Sequence, residues 1–291
     1  MILGSRAELA GRVKLQISGG ERGTIDYPWQ DNMILDQGFE WVITSSESRM
    51  HVFAVVGVGS SSQPPQPTEV GLVSPIAFSN FNYGIGTEHG WDESGGYGWS
   101  RKVTSFARGA AAGNISEMTT GYAENNTSAM ARALVRDALG NPTTITVLSD
   151  EVLTVTWEWR KWWAISDPNT IEYLVDGVPK TTTVSYKQNL STSSGALGNG
   201  GAGAADAQLI SSSGGVFVGE FKTTFTEAQG NPQVASVSTV GDDQSGGRGL
   251  GYHGVVVPYD PAYATFDPPI AKTNDFRLEI RHRIALSRRP T

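Results

Sequence analysis

The residues of this chain that could perform chemistry are few and scattered. Its four histidines show no HExxH or HxH spacing that would set two imidazoles on one metal ion. The stretch TEHGWDE groups four side chains that could hold a divalent cation, although a loop that keeps its charges in water is the commoner outcome: Glu88, His89, Asp92 and Glu93. No GxSxG elbow is present, and a pair of glycosidase carboxylates is not recognisable from spacing. We therefore assign no catalytic residue and no metal site.

The pattern GxGxxG occurs twice, at Gly198-Gly200-Gly203 and at Gly249-Gly251-Gly254. In a dinucleotide-binding fold these glycines follow a strand and open a helix, so that the pyrophosphate meets the helix N-terminus. Here both copies lie in Ser/Gly-rich loops, which indicates chance matches. We expect no cofactor, and we interpret the protein as one that is not an enzyme.

Charge and composition exclude several classes of partner. The net charge of −7 argues against nucleic acid and against an anionic membrane surface. The longest nearly apolar run, near Val52–Val58, is far shorter than the roughly 20 residues that a membrane helix needs. The chain has no cysteine, and its first residues lack the apolar core of a secretory signal. A protein of this kind that acts outside cells would leave by lysis or as part of a particle.

Short alternating apolar runs separated by turn residues predict an all-β fold. Strands are expected at 13–17, at 143–148 and at 152–160, and the Asp176-Gly177 pair predicts a hairpin. The segment 128–142 fits either a short capped helix or a strand, and we favour the strand. The expected architecture is an antiparallel β-sandwich, jelly-roll-like or Ig-like, with long Gly/Pro-rich loops and arms.

Three segments depart from this pattern. The prolines Pro64, Pro65 and Pro67 lie in a stretch, 60–71, that is expected to form a connector or an arm. The aromatic and glycine-rich stretch 80–100 predicts a long ordered loop anchored by Trp91, Tyr97 and Trp99. The segment 191–207 has almost no large side chains and predicts a linker or an arm. We expect a β-sandwich core at 1–190, this Gly-rich insertion or arm at 191–207, and a C-terminal β segment at 208–291 that completes the same domain.

Two clusters near strand ends leave alternatives open. In a strand over 152–160, Trp157 and Trp159 share an apolar face and are expected to be core. Trp162 and Trp163 lie beyond that alternation and suit either packing under a loop or a subunit contact. The arginine-rich C-terminus alternates like a half-buried strand followed by a tail, and the alternative is a basic contact with an acidic partner subunit.

The order of several segments resembles a group of bacteriophage virion proteins described as tail, tail-fibre or minor structural proteins. The segments that carry the resemblance are NMILDQGFEWV, FAVVGVGSSSQPPQPTEVGL, GNISEM and ARALVRDALGNPTTITVLSDEVLTVTWEWRKW, which together span about 12–163. The aromatic stretch 80–100 and the glycine-rich segment 191–207 have no counterpart in that pattern. The resemblance transfers no catalytic residue.

The resemblance implies a structural virion protein, assembled in the bacterial cytoplasm, that forms a symmetric homo-oligomer and docks to other virion proteins. It does not distinguish tail, fibre, collar, baseplate or head. The alternatives are a receptor- or carbohydrate-binding module that contacts host surface glycan, a head decoration protein, and a tailspike that degrades polysaccharide. The residues expected to make assembly or ligand contacts are Trp162, Trp163, Pro64, Pro65, Pro67, Trp91, Tyr97 and Trp99.

Overall fold

A computed structural model describes the fold over nine stretches of the chain. These are residues 2–44, 55–80, 87–164, 169–175, 177–188, 206–225, 233–238, 262–271 and 278–290. The chain divides into two compact units. The N-terminal unit comprises described residues within 9–161 together with 288–290, and the C-terminal unit comprises described residues within 2–8, 162–238 and 262–287.

The described residues form nineteen strands and one helix, so the fold is all-β as the sequence predicts. The elements up to residue 121 are β1 (Ile2–Gly19), β2 (Ile25–Asp26), β3 (Gln30–Ile34), α1 (Asp36–Thr44), β4 (Val55–Gly59), β5 (Pro75–Asn80), β6 (Thr87–Asp92), β7 (Tyr97–Ser105), β8 (Gly113–Ile115) and β9 (Glu117–Gly121). The remaining elements are β10 (Ala129–Leu134), β11 (Ile145–Val147), β12 (Glu151–Ala164), β13 (Asn169–Val175), β14 (Val178–Gln188), β15 (Asp206–Ser213), β16 (Val216–Phe225), β17 (Gln233–Ser238), β18 (Ala262–Ala271) and β19 (Leu278–Arg288). Helix α1 lacks the length and apolarity to cross a membrane.

In the N-terminal unit, six strands lie side by side in the order β1-β3-β10-β9-β4-β5. Strand β12 pairs with both β1 and β7, β6 pairs with β7, and β2 pairs with β1. Strands β8 and β11 form a separate two-stranded ladder. In the C-terminal unit, β16 pairs with β15 and β19, and a four-stranded sheet has the order β13-β14-β18-β17. All the ladders with a described register are antiparallel. The predicted sandwich arrangement and the predicted domain boundaries at 190 and 207 stay predictions.

The core of the N-terminal unit follows the alternation visible in the sequence. Val13, Leu15 and Ile17 of β1 are fully buried, and so are Leu153 and Val155 of β12. Strand β4 is buried at every position, as expected for an apolar run covered on both faces. The prediction of core positions for Trp157 and Trp159 is confirmed, since these side chains are 1% and 0% exposed.

Other local predictions are also confirmed by the described residues. The segment 128–142 contains β10, so the strand that we favoured there is present. The Asp176-Gly177 signal marks a hairpin, because β13 and β14 pair antiparallel from Val175↔Val178 outward. Gly177 has a φ of +76°, a conformation that glycine adopts without steric cost. The segment 191–207 lies almost entirely outside the described residues.

One expectation for local structure is wrong, and one element was not predicted. The stretch 80–100 is not a long loop in its described part, because β6 and β7 form a hairpin from Thr87↔Lys102 to Asp92↔Tyr97. Its irregular mixture of glycine and aromatic residues hid the period-2 pattern. The second difference is helix α1, which the sequence analysis did not predict. Its apolar positions Phe39 and Ile43, together with Leu35 immediately before the helix, are spaced by four and are all buried.

Candidate functional site: an aromatic–arginine face

One surface of the N-terminal unit collects three arginines and three aromatic rings around a single buried carboxylate. We call this surface the aromatic–arginine face, and its members are Arg12, Trp29, Tyr97, Trp99, Arg101, Glu158 and Arg160. Strand pairing places them together. Glu158 on β12 lies directly opposite Arg101 on β7, and Arg160 lies opposite Trp99 two residues further along. Because alternate residues of a strand point to the same side, these four positions share one side of the ladder.

The centre of the face is the Glu158 carboxylate, whose side chain is 1% exposed. Arg12 Nε donates to Glu158 Oε1 at 2.6 Å, and Arg101 Nη2 donates to Oε2 at 2.6 Å. Arg160, the third arginine, donates through Nε to Oε1 at 2.8 Å. Charge-assisted hydrogen bonds of this kind are stronger than neutral ones. The buried carboxylate therefore fixes the positions of three guanidinium groups, which remain 20–26% exposed.

Burial and hydrogen bonding act in opposite directions on Glu158. Burial raises the pKa of this carboxyl, whereas the hydrogen bonds from Arg12, Arg101 and Arg160 lower it, and the net result is a pKa below the ordinary value of 4.5. The side chain is therefore ionised at neutral pH. One negative charge is shared by three positive ones, so the face has positive charge that its central carboxylate does not balance.

The aromatic rings lie against the guanidinium groups. The Arg12 guanidinium carbon is 4.3 Å from the centroid of the Trp29 ring, and that of Arg101 is 4.7 Å from the Trp99 ring. Arg160 lies 4.9 Å from the ring of Tyr97. These distances are within the range of cation–π attraction. Each ring is half-buried, so the stacked pairs form a surface layer with limited side-chain freedom.

The β6–β7 hairpin that carries Tyr97 and Trp99 ends in a turn fixed by Asp92. The Asp92 carboxylate accepts hydrogen bonds from the Ser94 hydroxyl at 2.6 Å, the Gly95 backbone N–H at 2.8 Å and the Tyr97 hydroxyl at 2.9 Å. These bonds, led by that of Ser94, lower the pKa of Asp92 to about 2. The adjacent Glu93 is exposed and makes no hydrogen bond or ion pair with the described residues. The turn thus presents one carboxylate from a rigid tip.

The predicted contact residues do not all belong to the aromatic–arginine face. Tyr97 and Trp99 belong to the face. Trp91 pairs with Gly98 in the β6–β7 ladder, and its side chain lies outside the described residues. Trp162 is half-buried and belongs to the C-terminal unit, and the side chain of Trp163 lies outside the described residues.

The Pro-rich stretch 60–71 is attached to its own chain by a buried ion network. Arg132, whose side chain is 0% exposed, donates to Glu117 at 2.7 Å, to Glu69 at 2.7 Å and to the backbone oxygen of Gln63 at 2.9 Å. Glu117 is equally buried and accepts the backbone N–H of Ser74 at 2.7 Å. A buried ion pair persists only where such additional hydrogen bonds satisfy both partners. The prolines of the stretch lie at different depths: Pro64 is exposed, whereas Pro65 and Pro67 are half-buried.

A groove of about 760 Å³ runs beside the face and shares Trp29 with it. Strands β3 and β10 are paired only at Met33 and Ile34, and the groove opens beyond that point between Gln30–Asn32 and 133–136. Pro65, Arg136 and Arg289 also line it. Gln30 Oε1 accepts the Arg136 N–H at 2.7 Å, but Gln30 Nε2 and both polar atoms of Asn32 are buried without a hydrogen-bond partner.

Within the part of the chain that the structure describes, no three histidine, aspartate or glutamate side chains come together as metal ligands. The TEHGWDE carboxylates instead serve the hairpin. Glu88 accepts a hydrogen bond from Arg101 at 3.0 Å, and Asp92 fixes the turn.

Two of the C-terminal arginines contact carboxylates of their own chain. Arg283 pairs with Glu220 at 2.8 Å. Arg288 donates to the backbone oxygen of Ile34 and to the carboxylate of Asp36.

Sequence reasoning missed five members of the face as site residues: Arg12, Trp29, Arg101, Glu158 and Arg160. The alternation of β12 placed Glu158 and Arg160 on one polar side, and this was the only signal in the sequence. The hydrogen-bonded partners Arg12 and Glu158 are 146 residues apart, so no local pattern links them.

Comparison of the chain with protein-family models, with curated proteins and with solved structures finds no significant match. The geometry described above and the resemblance of its ordered motifs therefore carry the functional argument.

Proposed function

We propose that this chain is a non-enzymatic structural component of a bacteriophage virion, located in the tail, fibre, collar or baseplate, and that it acts by homo-oligomeric assembly and by docking to neighbouring virion proteins. The observation that carries this proposal is the aromatic–arginine face. Tryptophan, tyrosine and arginine are the side chains that contribute most to binding at protein interfaces. Here they are partly exposed on one side of a strand ladder.

The rigidity of this face favours assembly. Immobilising a long side chain on binding costs about 0.5–1.5 kcal/mol in conformational entropy. Arg12, Arg101 and Arg160 are already fixed by Glu158, and each contacts a ring. Most of that entropic cost is therefore met during folding, and a partner surface would meet a prearranged set of donors.

The motifs that resemble virion proteins serve the fold in this chain. A Cβ at Gly59 would lie 2.4 Å from the Ser74 oxygen, and one at Gly71 would lie 1.8 Å from the Asn126 oxygen, so only glycine fits. Glu117 of GNISEM, Arg132 of ARAL and Glu69 of the Pro-rich stretch meet in the buried ion network. Three of the resembling segments thus act as one packing unit, which supports a structural role for the block.

The carbohydrate-binding alternative has one observation in its favour, since Trp99 and Tyr97 are half-exposed rings close to the Asp92 carboxylate. A sugar would stack on a ring face. The guanidinium groups of Arg101 and Arg160 already cover one face of each ring, which leaves at most the other face for a sugar. We therefore retain assembly as the proposal and treat glycan binding as an outcome of its test.

The test is the protein composition of purified phage particles. Mass spectrometry should detect the chain in stoichiometric, repeated copies. Particles assembled with Trp99→Ala should incorporate fewer copies, whereas Leu139→Ala, which removes an 86% exposed side chain elsewhere, should not change incorporation. Absence of the chain from purified particles would refute the proposal. Normal incorporation of Trp99→Ala together with lost binding to host surface glycan would favour the carbohydrate-binding alternative.

A further inference from the structure

The guanidinium of Arg160 differs from its two neighbours in how its charge is balanced. All three arginines donate to the single Glu158 carboxylate. Arg101 also reaches a second carboxylate, that of Glu88, at 3.0 Å, and Arg12 donates to Glu158 through two of its nitrogens. Arg160 donates only through Nε, so its two terminal nitrogens make no hydrogen bond with the described residues. This is the donor pair best suited to bind a carboxylate from outside the chain.

A suitable carboxylate lies on the same hairpin. Glu93 sits at the tip of the β6–β7 turn, is exposed, and has no partner among the described residues. Asp92 fixes the backbone of the tip through the Gly95 N–H and the Ser94 hydroxyl. Arg160 lies opposite Trp99 of β7. Gly96, the last residue of the turn, precedes Trp99 by three residues. At about 3.3 Å per residue, the tip and Arg160 are roughly 10 Å apart along the strand.

This spacing suits a two-fold contact. In an isologous dimer the same patch is used twice, and residue i of one copy meets residue j of the other in both directions. A donor and an acceptor that are separated along one face can satisfy each other reciprocally when two copies meet antiparallel across an axis midway between them. Within the described residues of one chain no hydrogen bond or ion pair joins Arg160 and Glu93, since the described bond of Arg160 goes to Glu158.

We propose that two copies of this chain associate through the aromatic–arginine face, with Arg160 of each copy binding the Glu93 carboxylate of the other. The inference rests on the proposed function, because it names the partner chemistry of the same face. Tyr97 lies between the two charged positions and Trp99 lies beside Arg160, so the two rings supply the apolar part of the contact. Charge complementarity selects a second copy here, since the excess guanidinium and the unpaired carboxylate are both present on each chain.

The test is a double-mutant cycle on self-association of the full chain, measured by sedimentation equilibrium at low and high salt. Arg160→Met and Glu93→Gln should each weaken the dimer about tenfold or more, and the double variant should be no weaker than the weaker single variant. Glu21→Gln, an exposed carboxylate on another turn, is the matched control and should leave the dissociation constant unchanged. Association of the wild-type chain should weaken as salt rises, because the charges become screened.

Three results would overturn the inference: a wild-type chain that stays monomeric at high concentration, single variants that associate normally, or effects of the two substitutions that simply add. Circular dichroism spectra and melting temperatures close to wild type show that the variants are folded. Failure here is distinct from failure of the proposed function, because the particle composition is measured separately. A chain that is found in virions but does not dimerise through this contact would keep its structural role and lose this interface.

Discussion

Lys102 offers a direct test of the packing of the N-terminal unit. It lies on β7 directly opposite Trp157, with Thr87 of β6 as its other cross-strand neighbour, and only 3% of its surface is exposed. Burial disfavours the charged ammonium and lowers the pKa of Lys102 from 10.5 to about 8. As pH rises, the folded chain therefore releases this proton at a lower pH than the unfolded chain does.

The sign and size of the effect follow from proton linkage. Between pH 8 and pH 10.5 the unfolded chain binds more protons than the folded one, so stability rises with pH through that window. For these two pKa values, the gain between pH 7 and pH 10 is about 2–3 kcal/mol. Below pH 8 the ammonium is charged in both states, and the cost of burying it is present in full.

The perturbation is Lys102→Met, which keeps the length of the side chain and removes the charge. Urea unfolding is followed by tryptophan fluorescence, to which Trp157 and Trp159 of this unit contribute. The difference in unfolding free energy, wild type minus variant, should increase by about 2–3 kcal/mol from pH 7 to pH 10. Lys180→Met, at an exposed position of β14, should show no such change. Parallel pH profiles for wild type and Lys102→Met would refute the argument that this lysine is buried with its charge.

Three further predictions concern the ion networks and turns. Glu158→Gln should destabilise the chain at neutral pH. The difference from wild type in unfolding free energy should disappear as pH falls through the lowered pKa of Glu158, because protonation then removes the same charge from wild type. A difference that does not change with pH would contradict this. Arg132→Met should cost about 3–5 kcal/mol by leaving Glu117 buried and unpaired, and it should expose residues 60–74 to limited proteolysis. Arg283→Met removes a side chain that is 45% exposed and should cost no more than about 1 kcal/mol. Gly177→Asn should leave the melting temperature almost unchanged, while Gly177→Val should lower it measurably. Asn tolerates the positive φ of this position, and a β-branched residue does not. Equal effects of the two substitutions would argue against the observed hairpin turn.

The sequence predicted the fold where the information is local. Alternating residues in β1 and β12 identified their buried sides, and the Asp176-Gly177 pair identified a hairpin, because strand periodicity and turn chemistry depend only on near neighbours. Helix α1 escaped prediction. Gly38 within it lowers helix propensity. Tertiary packing requires glycine at this position, since a Cβ there would lie 2.4 Å from the Met130 oxygen.

The candidate site could be predicted only in part. Tyr97 and Trp99 were identified as contact residues from their aromatic surroundings, and both belong to the face. Its arginines were not, because the Arg101–Glu158 and Arg12–Glu158 pairs join residues 57 and 146 positions apart. Whether a polar position such as Glu158 is exposed or buried depends on what covers it, and strand alternation alone carries no information about that cover.

The sequence Trp157-Glu158-Trp159 buries three consecutive side chains, each at most 1% exposed, on opposite sides of one strand. A shift of β12 by a single residue would exchange the two sides, because side chains alternate with a period of two. It would bring the Glu158 carboxylate among apolar side chains, away from its three arginines, and it would take the two indoles out of the apolar core; both changes are unfavourable. A shifted β12 is thus destabilised on both of its sides, so this tripeptide favours the correct register of the strand while the sheet forms.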